Sequence, residues 1–124
     1  MRNDNLYLRH IADSISIIES YLATAAGDLN RRLFFEDLRT QDAVLRRLET
    51  LTDAAGHLSV GLKARHPQVP WRQITDFRNI LAHGYTGVNL DLVWDAILRD
   101  LPALKALVRA DAGGTEGLPG QSPG

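Results

Sequence analysis

The stretch TQDAVLRRLETLTDAAGHLSVGL, residues 40–62, sets the architecture. Val44, Leu48, Leu51, Ala55, Leu58 and Leu62 step by four, three, four, three and four, the rhythm that keeps side chains on one face of a 3.6-residue helix. Arg46, Arg47, Glu49 and Asp53 occupy the opposite face. The spacing predicts a long helix with a continuous apolar seam. Gly56 and Gly61 fall inside it, each costing up to about 1 kcal/mol relative to alanine, so a bend or close packing is expected there.

Toward the N-terminus, Leu8, Ile11, Ile15, Ile18, Leu22 and Ala25 repeat the same rhythm and predict a long amphipathic first helix. Asp4 suits its cap, and Gly27 with Asp28 and Asn30 suits its stop. Residues 31–39, with Leu33, Phe34, Phe35 and Leu38, fit either a short helix or a loop that pins two aromatic rings into the core. Toward the C-terminus, His66-Pro67-Gln68-Val69-Pro70 ends the central helix, because proline cannot continue the backbone ladder and restricts the residue before it.

Pro70 suits the first turn of a short helix whose buried face is Trp71, Ile74, Phe77 and Leu81, closed by Gly84 in a left-handed conformation. Gly87-Val88 forms a turn, and Asn89 caps a last helix bearing Leu90, Trp94, Ile97 and Leu101, with Leu104 and Val108 in the same phase. Pro102 is expected to kink or restart it. Both tryptophans read as core residues. No stretch alternates as a strand does and no repeat appears, so the fold class is an all-α up-and-down bundle of about four to five helices over residues 1–110. Residues 111–124 hold five glycines and two prolines with almost nothing to bury, which predicts a disordered tail.

The candidate chemistry is concentrated in Phe77-Arg78-Asn79-Ile80-Leu81-Ala82-His83-Gly84-Tyr85. Together with Pro70-Trp71 upstream and Asn89 to Trp94 downstream, this ordered set of Arg-Asn, His-x-Tyr and a following Trp resembles the HepT-like branch of the HEPN superfamily. The likeness runs from about Phe34 to about Leu104 and takes in Asp42-Ala43-Val44, Leu48-Glu49-Thr50-Leu51 and His66-Pro67. One departure is Thr52-Asp53-Ala54, where family members usually carry Gly-Glu-Ala. The resemblance implies a HEPN-like bundle and a metal-independent endoribonuclease toxin that cuts tRNA or mRNA and needs no cofactor. It also implies a homodimer with a composite site at its interface, and a nucleotidyltransferase (MntA-like) antitoxin that transfers AMP to Tyr85.

The residue types suit that chemistry. Attack by a ribose 2′-hydroxyl on its neighbouring phosphate needs a proton acceptor, a proton donor and positive charge at the phosphate oxygens. Histidine is the residue type that gains and loses a proton most readily near neutral pH, which suits His83 to either transfer; Arg78 offers a planar fork that stays charged, and Asn79 lies one turn behind His83, placed to orient its ring or donate to a phosphate. Arg78 and His83 are the catalytic candidates, and Tyr85 the modification candidate. On one ideal helix, however, Arg78 and His83 lie roughly 140° apart. Either the helix distorts at its end or the two meet through a second copy. Each residue also has a plainer reading: His83 as a polar cap, Arg78 bridged to Asp76 or Asp95, Asn79 bonded to a loop carbonyl, Tyr85 as a half-buried ring. The rival function is a non-catalytic helical module that docks a nucleotidyltransferase.

Composition narrows the classes. The chain of 124 residues can bury roughly two-thirds of its unfolded surface without staples. It has no cysteine, so disulfides and thiolate metal sites are excluded, and a cytoplasmic setting is expected, with no membrane association. His10, His57 and His66 form no metal-binding spacing, so no metal is assigned. Net charge is -1, which argues against coating nucleic acid with a basic surface, yet twelve of the fourteen basic residues are arginine, leaving a local phosphate site open.

Overall fold

The computed structural model describes residues 3–83 and 87–117, with side chains described up to Asp111. Among them the chain forms six helices: α1 (Asp4–Leu22), α2 (Arg31–Glu36), α3 (Leu38–Gly56), α4 (Val60–Arg65), α5 (Trp71–Ala82) and α6 (Leu90–Gly117). The described residues contain no strand, only one antiparallel bridge between Ala23 and Leu29. The count exceeds four to five because residues 31–36 are helical and because the central helix is divided. Of the helices in the described residues, none is long and apolar enough to cross a membrane.

The seams drawn from sequence meet in one core. Leu8, Ile11, Ile15, Ile18 and Leu22 of α1 face Val44, Leu48, Leu51 and Ala55 of α3, with Trp94, Ile97, Leu101 and Leu104 of α6 completing the enclosure. Phe34 of α2 is fully buried and stacks on Trp94 at 5.6 Å, so the short helix is how the two rings are pinned. α5 packs against α3 through Ile74, Phe77 and Leu81.

Several local expectations are corrected. α1 is capped by Asn3, whose side chain accepts from the Leu6 N–H, whereas the Asp4 carboxylate accepts from the backbone N–H and hydroxyl of Ser59 at 2.9 and 2.7 Å. α1 stops at Leu22, before Gly27, which takes a φ of +94° inside the following loop; Ala25 is exposed there. α3 ends at Gly56 because Ser59 caps a new helix, its hydroxyl accepting from the Leu62 N–H. Leu58 and Leu62 stay buried across this break, so the apolar rhythm passes through it unchanged. α6 continues through Pro102 without interruption, since the exposed proline forfeits one backbone bond while Leu101 and Leu104 remain anchored in the core. It runs on to Gly117, so the first seven residues of the expected tail are helical and the other seven lie outside the described residues.

Two devices hold α5, which carries the motif. Before it, Trp71 donates its indole N–H to the His66 carbonyl at 2.9 Å, and the His66 ring donates to Asp111 on α6. After it, Asn89 caps α6 by accepting from the Asp91 and Leu92 N–H groups, as its position in sequence suggested.

Candidate functional site

α5 is regular to its last residue. His83 is its C-cap, with backbone N–H directed to the Ile80 and Leu81 carbonyls, and no distortion swings His83 toward Arg78. The two side chains leave the helix on different faces, and among the described residues no hydrogen bond or ion pair joins them.

The imidazole is exposed, and its Nδ1 lies 2.6 Å from the Asn79 carbonyl oxygen. A carbonyl can only accept, so Nδ1 carries the proton and Nε2 is the nitrogen left to exchange one. Asn79 thus orients the ring through its backbone, not through its amide. His83, Asn79 and Ile80 of α5 line an open depression of about 600 Å³ with Gly87, Val88, Asn89 and Leu92. Ile80 and Leu92 are 49% and 60% exposed, so the histidine is set in an apolar surface patch.

Arg78 turns the other way, onto α3. Its Nη2 donates to Oδ1 of Asp53 at 3.0 Å, with the side chains 43% and 49% exposed. The partner of Arg78 is therefore Asp53, not Asp76 or Asp95. The turn that bears Asp53 is itself fixed: the His57 ring donates from Nδ1 to the Asp53 carbonyl at 2.9 Å and stacks on Tyr7 of α1 at 5.0 Å. Sequence reasoning left Asp53 without a role, because its contact with Arg78 spans 25 residues and two helices. The only signal was the family resemblance, which implies a carboxylate at this position.

Tyr85 lies outside the described residues, as does Gly84. Among the described residues no three His, Asp or Glu side chains converge as a metal site. A less open hollow of about 550 Å³ lies between the end of α1, the loop after it and the middle of α6, bordered by the Glu19–Lys105 ion pair, and no motif residue lines it.

Among the described residues the chain is a strand-free helical bundle with arginine and asparagine on one short helix and histidine at its C-cap, in keeping with the resemblance to the HEPN superfamily. Comparison with known proteins narrows this further. Residues 11–110 match the family described as Ribonuclease HepT-like, and the chain belongs to it. It is similar to a Thermococcus cleftensis protein named "Probable ribonuclease HepT", 34% identical over 108 residues that cover 84% of this chain and 91% of that one. It is also similar to a Methanocaldococcus jannaschii protein named "Gamma-glutamylcyclotransferase and putative RNase", 37% identical over 106 residues. That match covers 85% of this chain and 46% of the relative, so the chain spans about half the length of that protein. No solved structure matches.

Proposed function

We propose that this chain is a metal-independent endoribonuclease that works as a homodimer, with Arg78 of one subunit and His83 of the other closing on one RNA phosphate. The observation that carries the reading is the fixed tautomer of His83. Nε2 takes the proton of a ribose 2′-hydroxyl, the resulting alkoxide attacks the adjacent phosphorus, and the 5′-oxygen leaves with a proton returned by imidazolium. The products are a 2′,3′-cyclic phosphate and a 5′-hydroxyl, so no water or metal enters the first step. Arg78 holds the equatorial oxygens and offsets the charge that builds on them. The straightness of α5 supports the twofold arrangement, because a single chain presents the two groups on separate faces. The exposed Ile80 and Leu92 supply apolar surface for a second copy beside the site.

The same reading makes the chain the toxin of a pair whose partner is a nucleotidyltransferase. Transfer of AMP to Tyr85, two residues after His83, adds bulk and negative charge where the substrate phosphate binds. Incubation with that partner and ATP yields an adenylyl-sized mass increase that disappears in Tyr85→Phe.

The deciding experiment is cleavage of total cellular RNA in excess EDTA by the wild-type chain beside His83→Ala and Arg78→Ala. Fragments from the wild type alone are expected. Equal fragments from all three, or none from unmodified wild type, overturn the reading, and the latter favours a docking module that binds its partner without cutting RNA.

A further inference from the structure

We infer that Asp53 is a positioning residue for Arg78, aiming the guanidinium at the substrate phosphate; the inference rests on the ribonuclease reading above. Three observations converge on it. The Nη2 to Oδ1 contact at 3.0 Å is the only hydrogen bond of the Arg78 side chain among the described residues, so it takes one of five guanidinium N–H groups and leaves the remainder for a ligand. The half-exposed guanidinium is reachable by a phosphate without breaking that contact.

The support beneath Asp53 is more rigid than an ordinary surface ion pair has. Asp53 lies in the last turn of α3, where His57 binds its carbonyl, stacks on Tyr7 and closes the helix with its own N–H. One residue earlier, the buried Thr52 hydroxyl is bonded to the Leu48 carbonyl at 2.9 Å. An arginine side chain has many rotamers, and an anchored carboxylate removes most of them before substrate arrives.

The location is also electrostatically unfavourable for a carboxylate taken by itself. The end of a helix carries partial negative charge, which disfavours an acid in its last turn. Pairing with Arg78 offsets that cost. The approach of α5 to α3 brings the short aspartate side chain within reach of Arg78.

Positioning and masking make opposite predictions. If Asp53 merely neutralised Arg78, removing its charge would free the cation and raise activity. If it aims Arg78, removal lowers turnover. The test measures initial rates of cleavage of bulk cellular RNA across substrate concentrations for wild type, Asp53→Asn, Asp53→Glu, Arg78→Ala and the Asp53→Asn/Arg78→Ala double variant, with thermal midpoints for each. Asp53→Asn is expected to lose about 10- to 100-fold in kcat with little change in KM and with its melting transition retained. Asp53→Glu restores most of the rate. Arg78→Ala and the double variant are both expected to be without cleavage, so the deciding comparison is Asp53→Asn against Asp53→Glu.

Equal or higher kcat in Asp53→Asn overturns the inference and leaves the ribonuclease reading intact. A loss that only follows a lowered melting midpoint, with no recovery in Asp53→Glu, also overturns it in favour of a structural role. No cleavage by the wild type removes the ribonuclease reading and this inference together.

Discussion

Mixing two inactive variants should regenerate activity, and the amount is fixed by symmetry. On the composite-site reading, Arg78→Ala and His83→Ala each abolish every site in their own homodimers. In a mixed dimer with composite sites, one site receives both defects and the other receives neither, because Arg78 and His83 of one chain serve different sites. Random exchange of equal amounts makes half the dimers mixed, and each has one intact site of two. The mixture is therefore expected at about one quarter of wild-type activity. The structural basis is the regular α5, which keeps the two side chains on faces roughly 140° apart up to the His83 cap. The assay is RNA cleavage in EDTA after co-incubation, with subunit exchange followed by fluorescence transfer between labelled chains. Complete exchange with no recovered cleavage refutes composite assembly and returns Arg78 and His83 to a site within one chain.

Three further outcomes follow from the geometry. Burying the exposed half of Ile80 and three-fifths of Leu92 on both subunits is worth about 4 kcal/mol at roughly 2 kcal/mol per fully buried side chain, so an Ile80→Glu/Leu92→Glu chain should dimerise about a thousandfold more weakly by sedimentation. An unchanged dissociation constant would place the interface elsewhere. Arg99 clamps the buried Asp100 with two bonds of 2.7 and 3.1 Å, and Arg99→Ala strands that carboxylate, costing about 3 kcal/mol in urea unfolding. The same contact raises the affinity of Arg99 for its proton, chiefly through the Asp100 hydrogen bond.

Asp37 supplies the pH test. The Thr40 hydroxyl and then its N–H hold the Asp37 carboxyl below its ordinary value of 3.8, with Arg39 adding to the effect. Its stabilisation is therefore complete above that value and fades as pH falls through it toward the lower folded-state value. The advantage of wild type over Asp37→Asn in thermal midpoint should shrink below that pH; an advantage independent of pH would show that charge is not what makes Asp37 a good cap.

The parts of the fold that were legible are those governed by period. The Leu8 to Leu22 and Val44 to Leu62 seams are buried as their spacing requires, and Trp71 to Leu81 lies in the short helix that carries most of the motif. What escaped depends on competition between nearby groups or on contacts through space. Ser59 wins against helix continuation because Asp4, far away in sequence, takes its N–H and hydroxyl, and Leu58 hides the break by staying in phase. Pro102 reads as a breaker, but the core contacts on either side outweigh one missing bond. At the site, His83 and Arg78 were legible as residue types, whereas the tautomer depends on a carbonyl that any residue at position 79 would supply. The Asp53 contact required knowing that α3 and α5 are neighbours.

The bonds between Asp4 and Ser59 close a loop of 55 residues that contains α1, α2 and α3. Closing so long a loop by itself costs about 3.5 kcal/mol of chain entropy, comparable to what two hydrogen bonds to a carboxylate return, so the link adds net stability chiefly once α1 has docked on α3. The first turns of α1 and α4 are thereby joined, each held by the link only while the other is in place. Amide exchange at Leu6 and Leu62, whose N–H groups sit under those two caps, should then report one shared opening event rather than independent fraying of two helix ends.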